Sequence, residues 1–136
     1  AKALALGADA IAIGHSAMMA LNCNKDIPEA DYEAEMGVEA GYCYHCNTGR
    51  CPVGVATQDP ELRKRLNPDE AAERVYNFLH CLTIEAQMMA RACGKTNVHS
   101  LEPEDLAALT MEASAIAGVP LAGTDYTVGI DDYHHL

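Results

Sequence analysis

At 136 residues, 49% of them hydrophobic, the chain has the length of one domain and enough apolar content for a core. Nine Lys and Arg against 20 Asp and Glu leave a formal charge of −11, which argues against a broad electrostatic footprint on nucleic acid or on an anionic membrane. Aromatics are only 5%, with no Trp and one Phe, so the core must be built from Ala, Leu, Met, Val and Ile, a mixture suited to packed helices.

The opening "AKALALG" reads as the last turns of a helix stopped by Gly7. "ADAIAIG" (residues 8–14) is a short apolar run closed by glycine, the pattern of a parallel strand buried on both faces. "HSAMMALNC" continues as a helix. One strand makes no sheet, so its hydrogen-bonding partners are expected outside this sequence, and the chain reads as the C-terminal part of a longer α/β protein. Lys2, Asp9 and His15 interrupt the apolar start, which has neither the length of a membrane span nor the basic start and cleavage site of a signal peptide.

"NKDIPEADYEAEMGVEAG" is acidic and loosely patterned, with a short exposed helix expected from Glu29 to Met36, ending at Gly37. The cysteine loop follows. "DPELRKRL" then has Asp59 as helix cap and Pro60 at the first helical position. Asn67-Pro68 restarts the chain into its longest helix, from Asp69 to about Cys93. There Val75, Phe78, Leu79, Leu82, Ala86, Met89, Ala90 and Cys93 make one apolar stripe, and Gly94 ends the helix. "SLEPEDLAALTMEASAIAG" reads as a further helix with Leu106, Leu109, Met111 or Ala113, and Ile116 toward a core, followed by an irregular tail.

The six cysteines carry the strongest signal. Cys43-x2-Cys46-x4-Cys51-Pro52 puts three soft ligands on one loop, a pattern for zinc, iron–sulfur or redox thiol chemistry in a reducing, cytoplasmic setting. Structural zinc wants four closed ligands, usually as two separated pairs, and only Cys23 or His45 is at hand to complete them. Iron–sulfur clusters use three or four closely grouped cysteines, often with proline after the last, and a [3Fe–4S] core needs three. A dithiol C-x-x-C normally opens a helix after a strand, and that context is missing. Spacing ranks iron–sulfur first, zinc second and a dithiol third. The strand–glycine–helix of "AIGHSAMMA" is a second, weaker signal, since helix N-terminal amides suit an anion such as a cofactor phosphate.

Taken together, "KALALGADAIAIGHSAMMAL", "CNTGRCPVGVATQDPELRKRL" and "AAERVYNFLHCLTIE" resemble the end of the FMN-binding synthase domain of glutamate synthase, over roughly residues 1–120. The resemblance implies an α/β fold, mostly helical in this part: the last strand–helix unit of a (β/α)8 TIM barrel, then the cluster loop and a helical extension. It divides the chain into 1–24 as the barrel end, 25–66 as the iron–sulfur region, 67–120 as the helical extension and 121–136 as the tail. It implies FMN and a [3Fe–4S] cluster as cofactors, with the cluster relaying electrons to a flavin that reduces 2-iminoglutarate, formed from 2-oxoglutarate and glutamine-derived ammonia, to L-glutamate. Implied partners are those small molecules, an electron donor protein or subunit and a glutaminase domain or subunit, with no nucleic acid and no membrane.

Carried onto this chain, Gly14, His15 and Ser16 lie at the FMN phosphate, and Cys46 and Cys51 match the last two cluster ligands. The first family ligand, with five residues between it and the second, would fall on Ala40; this chain departs from that spacing and offers Cys43 instead, in a region where shorter, archaeal-type relatives vary, so Cys43 takes the role, with Cys23 as a candidate fourth. No catalytic residue is assigned, and a chain of this length is expected neither to hold FMN nor to turn over substrate alone. His45 and Arg50 read as tuning or solvated groups, and His80, Cys81 and Cys93 as structural. The competing readings are a zinc-stapled helical interaction module without catalysis and a related enzyme such as N-methylglutamate synthase.

Overall fold

A computed structural model describes residues 1–23, 27, 33, 34, 36–39 and 41–130. They form two units, one of Ala1–Ala12 with the chain from Leu82 onward, the other of Ile13–Cys81. The architecture is mostly helical.

In the first unit, α1 (Lys2–Ala5) ends where expected: Gly7 takes φ +97°, and the Gly7 and Ala8 amides donate back to the carbonyls of Leu4 and Ala3. This paired closure is a Schellman turn. The long helix α4 (Pro68–Ala92) lends its C-terminal part to this unit and stops the same way, with Gly94 at φ +74° and Lys95 N–H donating to the Ala90 carbonyl at 2.8 Å. Ala5, Ala90 and Leu101 form the small core, with Leu4, Val98 and Leu106 against it.

A 3-10 turn at Val98–Ser100 precedes the single helix expected from Ser100, which is instead two short pieces, a 3-10 turn at Pro103–Asp105 and α5 (Met111–Ala117). Local capping explains the breaks. Asn97 and Thr110 accept amides of the turns they start, and Glu102 and Asp105 cap each other's backbone, so each piece satisfies its own orphan groups. The face of α5 is also the reverse of the expected one. Leu109, Met111 and Ile116 are exposed, while Ser114 is fully buried, donating to the Val119 carbonyl at 2.7 Å and accepting from Val128 N–H at 3.1 Å. Apolar periodicity yields here to a hydroxyl that organises the following loop.

The second unit holds α2 (His15–Ala20), the cysteine loop, α3 (Pro60–Arg63) and the start of α4. Asp59 caps α3 as expected, accepting from the amides of Glu61 and Leu62. Asn67 likewise accepts from Asp69 at the start of α4. The core is Met36, Cys51 and Val53, with Cys23, Ile27, Val38, Cys43, Val55 and Ala56 packed on it. The short helix expected from Glu29 to Met36 lies largely outside the described residues.

Two expectations are corrected. Residues 8–14 form no strand: the stretch is non-regular and largely exposed, with Ile11 47% accessible. A strand exists only by pairing, and among the described residues the sole β pairing is an isolated parallel bridge between Ala108 and Leu121. Of the apolar stripe of α4 only Ala90 is buried, whereas Leu79, Leu82 and Met89 stay exposed. Among the described residues no helix is long and apolar enough to cross a membrane.

Candidate functional site

The cysteine loop is shaped by hydrogen bonds that its own sequence supplies. Thr48 donates from both its amide and its hydroxyl to the His45 carbonyl, and that hydroxyl accepts from Arg50 N–H. This Ser/Thr-type turn is followed by Gly49 at φ +75°. Eight residues on, the Thr57 hydroxyl donates to the Gly49 carbonyl and accepts from Asp59 N–H, joining the loop to the cap of α3. Pro52 and Val53 are fully buried behind Cys51. Arg65 Nη1 donates to the Pro52 carbonyl at 2.9 Å, and Gly54 N–H donates to the Cys51 carbonyl. The loop is thus pinned from behind at Gly49, Cys51 and Pro52. Cys51 is buried, Cys43 half-buried and Cys46 exposed.

Cys23 arrives at the same place from another element. Asn22 takes φ +69°, its amide donates to the Met19 carbonyl, and Cys23 N–H donates to the Met18 carbonyl. α2 therefore ends in a Schellman turn with Asn in the left-handed position and Cys23 next after it. Cys23 packs on the cluster of Met36, Cys51 and Val53. Burial pushes the Cys23 thiol pKa up, and the charges of Cys46, Cys51 and Cys43 push it further in the same direction.

The donor set is soft: four free thiols lie in one unit, Cys23, Cys43 and Cys51 at one apolar cluster and Cys46 on the same loop. Among the described residues no three His, Cys, Asp or Glu side chains converge around a point where a single ion would sit. A tetrahedral zinc site would bring its thiolates to about 3.8 Å from one another, given Zn–S bonds of about 2.3 Å. A polynuclear cluster holds its thiolates further apart, and soft thiols are the donors that such a group takes. Within the same loop His45 Nε2 is buried without a hydrogen-bond partner, and the His45 ring stacks on Tyr44 at 4.8 Å between centroids. An unpaired buried ring nitrogen is the kind of group that a cluster sulfide can satisfy.

Gly14, His15 and Ser16 open α2, all three exposed. Gly14 has φ +48°, and a Cβ built on it would meet nothing within 4 Å, so the approach to this turn is open. Ser16 N–H already donates to the Ile13 carbonyl at 3.1 Å, leaving its hydroxyl as the group it can offer. Cys81 and Cys93 are exposed on or just after α4, and His80 stacks on Tyr76. His134 and His135 lie outside the described residues. Sequence reasoning missed Thr57 and Arg65 as loop supports; the Thr57-x-Asp59-Pro60 spacing is the signal that could have found the first.

A family model described as a conserved region in glutamate synthase matches residues 32–96, a span that contains Cys43, Cys46 and Cys51. The chain is 54% identical over 129 residues to a glutamate synthase large subunit-like protein of Rhizobium meliloti, covering 95% of this chain and 29% of that protein. An archaeal glutamate synthase (NADPH) of Methanocaldococcus jannaschii is 41% identical over 100 residues, covering 74% of this chain and 16% of that protein. An archaeal-type glutamate synthase (NADPH) of Dehalococcoides mccartyi is 35% identical over 126 residues, covering 90% and 22% respectively. The chain thus spans less than a third of the length of these relatives. No solved structure matches it.

Proposed function

Because the chain belongs to the glutamate synthase family, we propose that it is the cluster-bearing segment of a glutamate-forming, flavin- and iron–sulfur-dependent oxidoreductase. Cys43, Cys46 and Cys51 are cluster ligands in this reading, and Gly14, His15 and Ser16 contribute to the FMN phosphate site. The observation that carries it is the thiol loop itself, pinned from behind by Thr57 and Arg65, with Cys43 and Cys51 sharing one apolar cluster. When bound, the cluster supplies one-electron relay and the flavin supplies hydride chemistry.

What the chain's own residues do is narrower. Pro52 and Val53 exclude water from the protein side of Cys51. Thr57 and Arg65 hold the backbone that presents the thiols. Gly14 leaves a turn open to an anionic group, with the Ser16 hydroxyl beside it. Residues 1–24 would be the barrel end, 25–66 the cluster region, 67–120 the helical extension and 121–136 the tail. The whole enzyme would convert 2-oxoglutarate and glutamine-derived ammonia to L-glutamate, with an electron donor protein or subunit and a glutaminase domain or subunit. The NADPH in the names of two relatives supports such a donor.

The test is anaerobic purification of the protein from its full open reading frame, with metal, sulfide and flavin analysis. Iron with matching acid-labile sulfide, at about three or more per chain, together with FMN and glutamate formation, is the expected result. Zinc without a visible band would sink the reading in favour of a zinc-stapled module.

A further inference from the structure

With nine Lys and Arg against 20 Asp and Glu, two arginines lining one cleft run against the charge of the whole chain. The cleft lies within the Ile13–Cys81 unit and has a volume of about 160 Å³. Arg65, from the segment between α3 and α4, and Arg74, from the second turn of α4, both line it. Val53 and Leu66 form part of its apolar wall, and Asn67 and Glu70 part of its polar one.

Both arginines are half-buried, and each is held in its own way. Arg65 is anchored by the 2.9 Å bond from Nη1 to the Pro52 carbonyl. Arg74 has Nε buried without a hydrogen-bond partner among the described residues. Its ion pair runs from Nη1 to Glu70 Oε2, one turn back on the same helix, at 3.6 Å. The Glu70 side chain is 66% accessible, so that pair is screened and weak. A buried guanidinium N–H without an acceptor carries a desolvation cost that a stronger acceptor would remove. Asn67 spends its Oδ1 on the amides of Asp69 and Glu70, so its side-chain NH2, a donor, is what it can turn to the cleft.

We propose that this cleft binds a small free oxyanion, a phosphate or carboxylate group, with Arg74 as its main ligand and Arg65 and Asn67 beside it. A guanidinium presents its N–H donors as a planar fork that matches two oxygens of either group, and such charge-assisted bonds are the strong ones. The anion gives Arg74 Nε its missing acceptor. It also takes the place of the Glu70 carboxylate, which can turn outward from its exposed position. No cysteine takes part, so the site stands apart from the proposed function and holds whatever the thiols carry.

The protein from its full open reading frame is titrated calorimetrically with inorganic phosphate and, separately, with succinate, against chloride at matched ionic strength. Saturable binding of at least one is expected, and the tighter of the two identifies the group. Arg74→Gln weakens it by about tenfold or more, the scale of one charged hydrogen bond lost. Glu70→Gln removes the competing carboxylate and tightens it several-fold, a gain that a merely structural role would not give. Arg65 is left intact because it also holds Pro52. In parallel, wild type is labelled with phenylglyoxal and its peptides are mapped by mass spectrometry. Arg74 labelling falls several-fold when the anion is present, while the exposed Arg63 and Arg91 label equally in both states.

Binding of neither anion, binding indifferent to both substitutions, or Arg74 labelling that the anion does not change would each overturn the assignment. An Arg74 that resists labelling in both states would mean that another part of the protein fills the cleft, and this too overturns a free anion there. The labelling arm uses no variant, so it decides the matter even if Arg74→Gln fails to fold.

Discussion

A Cβ added at Gly54 would stand 2.5 Å from the Leu62 carbonyl oxygen and 3.1 Å from the Leu66 amide nitrogen. The cysteine loop crosses the end of α3 at this point with no room for a side chain. Gly54 also has φ +83°. Gly54→Ala is therefore expected to destabilise the protein by more than the roughly 1–2 kcal/mol of a left-handed alanine, because the clash is with backbone that cannot rotate away. Urea unfolding of the metal-free protein measures the loss, and a change below about 0.5 kcal/mol, the scale of an ordinary surface substitution, would show that the crossing is looser than described.

Asn22 supplies a second backbone test. Asn22→Gly keeps the left-handed conformation and should leave stability within a few tenths of a kcal/mol, whereas Asn22→Val should cost about 1–2 kcal/mol. Equal stability of the two variants would mean that the turn at Asn22 places no demand on its side chain.

The Thr57 hydroxyl joins Gly49 to Asp59 by donating to one and accepting from the other. Thr57→Val keeps the volume and removes both bonds, at a cost of about 1–3 kcal/mol for the partners left unsatisfied. Thr57→Ser restores them and should recover most of the loss. Thermal unfolding reads this out; a serine variant no better than valine would assign the effect to packing.

Lys95 bonds to Glu102 at 2.8 Å and lies 3.7 Å from Asp105, and its pKa is raised above the usual lysine value, chiefly by the bond to Glu102. Its stabilisation is fully present below the ordinary lysine pKa and is lost as pH rises through the raised one, so the effect appears only on the alkaline side. The contact is exposed to solvent screening and the effect is accordingly small. Lys95→Gln should leave the neutral-pH melting temperature nearly unchanged and flatten its alkaline decline, relative to wild type, at low salt. Parallel alkaline profiles for the two proteins would show that the contact contributes nothing.

Much of this was legible before any coordinates. The stops at Gly7 and Gly94, the Asp59-Pro60 start of α3 and the length of α4 follow from local rules, because a cap or a left-handed glycine acts within one turn of chain. Asn22 obeys the same rule as those glycines, but its letter is common in other settings and it went unread. The strand at 8–14 failed for the opposite reason: its apolar pattern is real, but a strand is a relation between segments, and no partner is present among the described residues. The stripe of α4 and the face of α5 share that limit, since periodicity says which side chains are apolar and not whether anything lies against them.

At the cysteines the division is sharpest. The spacing of Cys43, Cys46 and Cys51, and with it the soft-ligand chemistry, is written in consecutive residues, because a short loop keeps its thiols together whatever the rest of the chain does. That Cys23 packs on the same apolar cluster of Met36, Cys51 and Val53 as Cys43, while Cys81 and Cys93 stay exposed elsewhere, depends on the tertiary fold that follows the turn at Asn22. Proximity between distant segments comes from burial and backbone closure acting together, and only the folded chain brings those to one place.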